Sequence, residues 1–210
     1  MIQIGAPLAH DFSNPLGVMS DCHRRIEHFL HLLITVTAQA RGGALSAEQR
    51  DAMEVALRYF EEAEPKHTAD EEESLFPRLR ASRHPSAPEA LALVDVLAHD
   101  HEVAQVHHEQ VGNLARRWLA DGRLSAAAAR QLRAHLDALA ALYRRHIPVE
   151  DGELLPLARR ILDAADTATL GREMAARRGV DPVRVGVCPV LPGKTANRSL
   201  RLEHTEGAKR

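Results

Sequence analysis

Residues 67–77 read HTADEEESLFP and residues 146–156 read HIPVEDGELLP. Both fit H-x-x-x-E-x-x-x-L-[FL]-P, and the two copies start 79 positions apart (146 − 67). A histidine and a glutamate four apart stand on one face of a helix, with Cβ atoms about 5–6 Å apart. Working outward, four long segments show helical period. The first runs from about 14 to 40 with the stripe Met19, His23, Ile26, Leu30, Leu33 and Thr37, and Arg41-Gly42-Gly43 ends it. The second opens on Ser46-Ala-Glu-Gln49, a capping box, and carries Met53, Leu57, Phe60, Glu64, His67, Glu71 and Leu75, with Pro65 bending or restarting it. The third starts near Pro88 and carries Val94, Leu97, His101, Ala104, His108, Val111 and Ala115. The fourth follows Ser125 with Leu132, Leu136, Leu139, Tyr143, His146, Glu150, Leu154 and Leu157.

The expected fold is all-α: an antiparallel up-down four-helix bundle over 12–163, a short accessory helix over 164–179, and an irregular tail over 180–210. In such a bundle His23, Glu71, His101 and Glu150 fall within a turn or two of one level, at a rise of about 1.5 Å per residue. The halves repeat. Each αα-hairpin has one His on its first helix and H-x-x-x-E on its second, with His-to-His separations of 44 (67 − 23) and 45 (146 − 101).

The chain has 210 residues, 45% hydrophobic, 27% charged and only 3% aromatic, so one domain with a real core is expected. A formal net charge of −2 argues against a nucleic-acid or membrane-surface partner. No apolar run reaches membrane-spanning length, and the opening residues lack the pattern of a secretory signal. Cys22 and Cys188 form no C-x-x-C and suit a reducing cytoplasm, the expected location. Histidine is the abundant aromatic heterocycle, at 13 residues.

Six polar residues on apolar stripes at one level are costly without compensation. One alternative is separate hydrogen bonding or pairing with arginine. The other is metal, and four imidazoles with two carboxylates exceed what one tetrahedral zinc takes. They suit two ions sharing carboxylates: iron, with manganese or zinc as alternatives. Around this set, His108 and His135 are candidates for a polar access path or weak second site, while His28, His99 and His107 fall off the stripes and read as solvated. Tyr143 is a candidate donor to a bound species or a core residue. Asp70, Glu72 and Asp100 read as surface acids or as acceptors orienting ligand imidazoles. Pro148 is a candidate kink, Pro77 and Pro156 are candidate built-in bends, and Cys22 reads as a small buried thiol.

DCHRRIEHFL, HTADEEESLFPRL, HDHE and HIPVEDGELLPLA resemble the hemerythrin-like (HHE cation-binding) family, of bacterial di-iron type, over about residues 12–160. The resemblance implies a bundle around a non-haem di-iron centre with two Fe ions, an oxo or hydroxo bridge and the ligands His23, His67, Glu71, His101, His146 and Glu150. Asp151 fits the alternative spacing H-x-x-x-x-D of oxygen carriers. Those carriers also have a fifth histidine where this chain has Gln105. The cluster-repair relatives carry an N-terminal Cys-rich segment that this sequence lacks. The expectation is a monomer or homodimer that binds O₂, NO or a related small molecule for sensing, storage or stress protection. The alternative is a di-iron enzyme or iron donor: a ferroxidase, a peroxidase-like or NO-reducing enzyme, or an iron–sulfur cluster repair protein. A third possibility is a metal whose role is structural.

Overall fold

The computed structural model describes residues 9–180, and every regular element among them is helical. The expected tail therefore lies outside the described residues apart from Val180. Helix α1 spans Pro15–Ala40. The Asn14 carboxamide oxygen caps it by accepting from the Gly17 N–H at 3.2 Å. Arg41 ends it in the left-handed conformation, φ 50°, where a non-glycine residue is uncommon. Its N–H still satisfies the Thr37 carbonyl.

The second arm is not one helix. Helix α2 (Ala47–Glu62) starts at the predicted capping box of Ser46 and Gln49. Pro65 has no N–H to continue the ladder, and α3 (Glu64–Ala69) restarts at that point. A π-helical turn, π1 (Asp70–Leu75), follows, and α4 (Phe76–Ala81) completes the arm. The third arm is a single helix, α5 (Ala87–Asp121), stopped by Gly122 at φ 72°. The fourth repeats the second: α6 (Ala126–Val149), a π-helical turn π2 (Glu150–Leu154), and α7 (Leu155–Ile161). Pro148 lies within α6 without ending it. Helix α8 (Ala164–Arg177) is capped by Asp163 and packs on α1 and π1.

The core is split. One apolar cluster holds Ile26, Leu33, Met53, Trp118, Leu132 and Leu136. The other holds Met19, Phe76, Leu79, Leu97, Leu154 and Met174. Between them, at the level of His23, lies a polar layer. The clusters are anchored at their ends by satisfied polar atoms: fully buried Trp118 donates its indole N–H to the Gly43 carbonyl at 2.8 Å. No helix among the described residues is long and apolar enough to cross a membrane.

Candidate metal centre

Both π-turns sit on the repeated motif, and the motif explains them. In each copy a proline follows the glutamate by six: Glu71 to Pro77, Glu150 to Pro156. Proline offers no N–H and its ring collides with the carbonyl four residues back. The residue before each proline instead donates five back: Phe76 N–H to the Glu71 carbonyl, Leu155 N–H to the Glu150 carbonyl. One extra residue thus enters each turn directly at the acidic side chain. Such π-bulges are frequent at functional sites.

The six candidate residues converge in the polar layer. His67 Nε2 lies 3.0 Å from Glu71 Oε1, and His23 Nε2 lies 4.0 Å from the same oxygen. Glu71 Oε2 faces His101 Nε2 at 3.1 Å. Glu150 Oε2 stands 3.2 Å from His23 Nε2 and 3.4 Å from His146 Nε2. Each hairpin pairs its own imidazoles, with ring centroids 4.8 Å apart for His23–His67 and 5.0 Å for His101–His146. The two glutamates lie between the pairs. Potential ligand atoms of His23, His67 and Glu71 lie within 4.8 Å of one another, as do those of Glu71, His101 and His146.

These residues fit a metal on the state of their polar atoms. Glu71 and Glu150 are fully buried, yet none of their four carboxylate oxygens has a hydrogen bond of acceptable geometry, nor has His23 Nε2. Unmet acceptors at such depth are expensive in protein alone.

Outside the six, the acid directly after each motif glutamate takes a hydrogen bond from the opposite hairpin. His23 Nδ1 donates to Asp151 at 2.9 Å, and His101 Nδ1 donates to Glu72 at 2.8 Å. This turns each Nε2 lone pair toward the centre. Asp151, weighed above as an alternative ligand, thus stands as an acceptor behind His23, and Glu150 points inward. Asp100 lies 3.5 Å from His146 Nδ1 and receives Arg145. Asp70 does not touch a candidate imidazole; it is fully buried and paired with Arg177 and Arg178. Sequence reasoning missed that pairing, because nothing local links Asp70 to residues more than 100 positions away.

The remaining histidines depart from expectation in part. His28 and His99 are exposed, but His107 is half-buried with its Nδ1 2.9 Å from His135 Nδ1. His108 pairs instead with Tyr143, its Nε2 2.7 Å from the buried phenol oxygen, so His108 and His135 have separate partners. Burial, with His107 beside it, pushes His108 down to about 4. A cleft of about 460 Å³ between α2–α3 and α5 reaches from the surface to His101, lined also by Glu64, Thr68, Gln105 and His108.

Electrostatics among the side chains of the layer are mutually compensating. Burial, then repulsion from Glu150, raises Glu71 to about 8, with facing His101 opposing. Burial would also raise Glu150, but His23 and His146 hold it well below the usual carboxylate range. Burial presses His101 down, yet Glu71 and Glu72 on its two nitrogens lift it to about 10. Burial, with His23 next, holds His67 well below the ordinary imidazole value.

Residues 14–158 match the hemerythrin HHE cation binding domain. The chain belongs to this family. As a hemerythrin-like protein it is built to bind a metal ion, and the His/Glu groups above are where an ion could be held. The chain is also similar to an uncharacterized protein of Haemophilus influenzae, 25% identical over 170 residues that cover 80% of this chain and 92% of that one.

Proposed function

We propose that this hemerythrin-like chain is a non-haem di-iron protein that binds O₂, NO or a related small molecule for sensing, storage or stress protection. His23, His67, His101 and His146 would supply the nitrogen donors, and Glu71 and Glu150 the carboxylate donors. The observation that carries the reading is the pair of fully buried glutamates set between two histidine pairs with all four oxygens unsatisfied. Two imidazoles with a share in each carboxylate suit iron, with manganese and zinc the alternatives on the same donors. Iron held there would supply reversible electron exchange with a diatomic ligand.

The protein's own part is geometric. Asp151 and Glu72 fix the orientation of His23 and His101, and the two apolar clusters keep bulk water from both sides of the layer. The cleft offers a small ligand a way in beside His101. Gln105 on its wall leaves that side less crowded than a further ligand would. This favours, as a second reading, turnover of peroxide or NO.

The test uses untagged protein. Metals per chain are counted by mass spectrometry, and the visible spectrum is recorded before and after anaerobic reduction and return to O₂. About two irons per chain, with near-ultraviolet bands that vanish and return, are expected. His67→Ala and His146→Ala should each lose metal. Two metals retained in both variants, or one zinc with a silent spectrum, would sink the assignment. Sustained consumption of peroxide or NO would select the second reading.

A further inference from the structure

The two π-turns are not held alike. In π1, Arg177 Nη1 donates to Asp70 Oδ1 at 2.9 Å, and its Nη2 donates to Ser74 Oγ at 2.7 Å. One guanidinium therefore spans the first and fifth residues of the turn. Arg178 Nη2 takes the other oxygen of Asp70 at 2.6 Å, and its Nη1 donates to the Met174 carbonyl at 2.9 Å. Asp70 and Ser74 are fully buried, and Arg178 is nearly so. Helix α8, which ends on Arg177 with Arg178 as its C-cap, is seated hard on the bundle. At Gly171 a Cβ would lie 2.0 Å from the Phe12 carbonyl oxygen, so only glycine permits this approach. The repeat places Val149 and Glu153 where π1 has Asp70 and Ser74. Val149 has no carboxylate to receive a guanidinium as Asp70 does.

We propose that Arg177 and Arg178 are positioning residues for Glu71: they lock π1 in its widened register and so aim the Glu71 carboxylate at both histidine pairs. The inference rests on the dinuclear reading of the site. The physical argument is one of lever arm. Glu71 directly follows Asp70, whose two oxygens are fixed from a separate helix. An α-helical turn would place residues 70 and 74 in a different relation and rotate Glu71 out of the layer. A buried arginine is also an expensive means of holding a helix down unless its charge is fully met, and here Asp70 meets it.

The test compares wild type with three variants. Asp70→Asn combined with Arg178→Met removes both charges, so no buried ion is stranded. Arg177→Lys is milder and leaves the Asp70–Arg178 pair intact. Asp163→Ala removes the N-cap of α8, at the end of the helix away from π1, and so weakens α8 without touching the clamp. Iron-loaded proteins are challenged with a chelator and iron loss is followed. Hydrogen exchange over residues 70–76 is measured on the metal-free proteins. The double variant is expected to lose iron about tenfold faster, the lower end for groups that orient ligands, with Arg177→Lys between it and wild type. Both should exchange faster over 70–76, while Asp163→Ala matches wild type there. Wild-type iron loss in the double variant, or equally fast loss in Asp163→Ala, overturns the proposal. If wild type takes up no iron, the dinuclear reading falls. Unchanged exchange over 70–76 would then overturn the clamp on its own.

Discussion

His23 and His101 are each held from behind by a carboxylate of the opposite hairpin, Asp151 and Glu72. The dipeptides Glu71-Glu72 and Glu150-Asp151 thus do two jobs with neighbouring side chains: the first faces the layer and the second orients an imidazole across the bundle. Removing an acceptor of this kind from a metal ligand costs about 10–100-fold in affinity. Asp151→Asn should therefore weaken metal binding by that order while leaving the helical content unchanged, as read by competition with a chelator and by circular dichroism. Unaltered affinity would show that the Asp151 contact does not orient His23. The acid after each glutamate was visible in the sequence, but its role was not. Spacing tells which face a side chain leaves from, whereas the partner depends on how the facing helix is rotated. The same limit hid the His108–Tyr143 and His107–His135 pairs, which join α5 to α6.

At the scale of the element, the four arms and their inward stripes were legible because apolar residues recur at helical period and the caps are strong. Ser46 with Gln49, Ser125 and Gly122 all stand at observed helix ends. The π-turns were not legible from that period, since a 3.6-residue template has no place for a donor five residues back. The proline six residues past each glutamate was the available signal, and it reads as a bend until the ladder around it is known. Pro156→Ala supplies the missing donor and makes the α register accessible to π2. The metal-free variant should gain stability, by no more than about 3 kcal/mol, and should hold metal less well because Glu150 then turns with the backbone. Thermal melts and metal retention measured together check this. Metal retention equal to wild type would show that π2 does not depend on its proline.

For the whole molecule, the charge state of the layer couples metal to pH. Glu71 stands at about 8 against an ordinary 4.5, and His101 at about 10 against an ordinary 6.5. Both folded values are raised, so the protonated forms favour the metal-free fold. Their contribution is complete below the ordinary values and is lost as pH rises through about 8 and then about 10. Metal requires both groups without their protons. Between pH 6.5 and 8.5 the metal-free protein should therefore melt lower while metal binds more tightly, by up to about tenfold per pH unit for each proton displaced. Melting curves with and without metal at the two pH values, and proton release into weak buffer on metal addition, test both signs. A metal affinity that falls with rising pH would contradict the assignment of Glu71 and His101 as ligands.

The crossing of the two hairpins in the polar layer also bears on how long the folded state lasts. The facing pair Glu71–His101 closes a loop of 30 residues (101 − 71), whereas His23–Glu150 closes one of 127 (150 − 23). The longer closure costs roughly 1.3 kcal/mol more in chain entropy, so each hairpin can form before the layer is complete. An ion that ties the layer together then acts after the main folding barrier, and interactions absent from the transition state slow escape rather than entry. Metal should lengthen the unfolding lifetime and leave the refolding rate where it is, which stopped-flow traces with and without metal would show. On this view the polar layer works as a latch: the bundle closes by its apolar clusters, and the ion decides how rarely it opens.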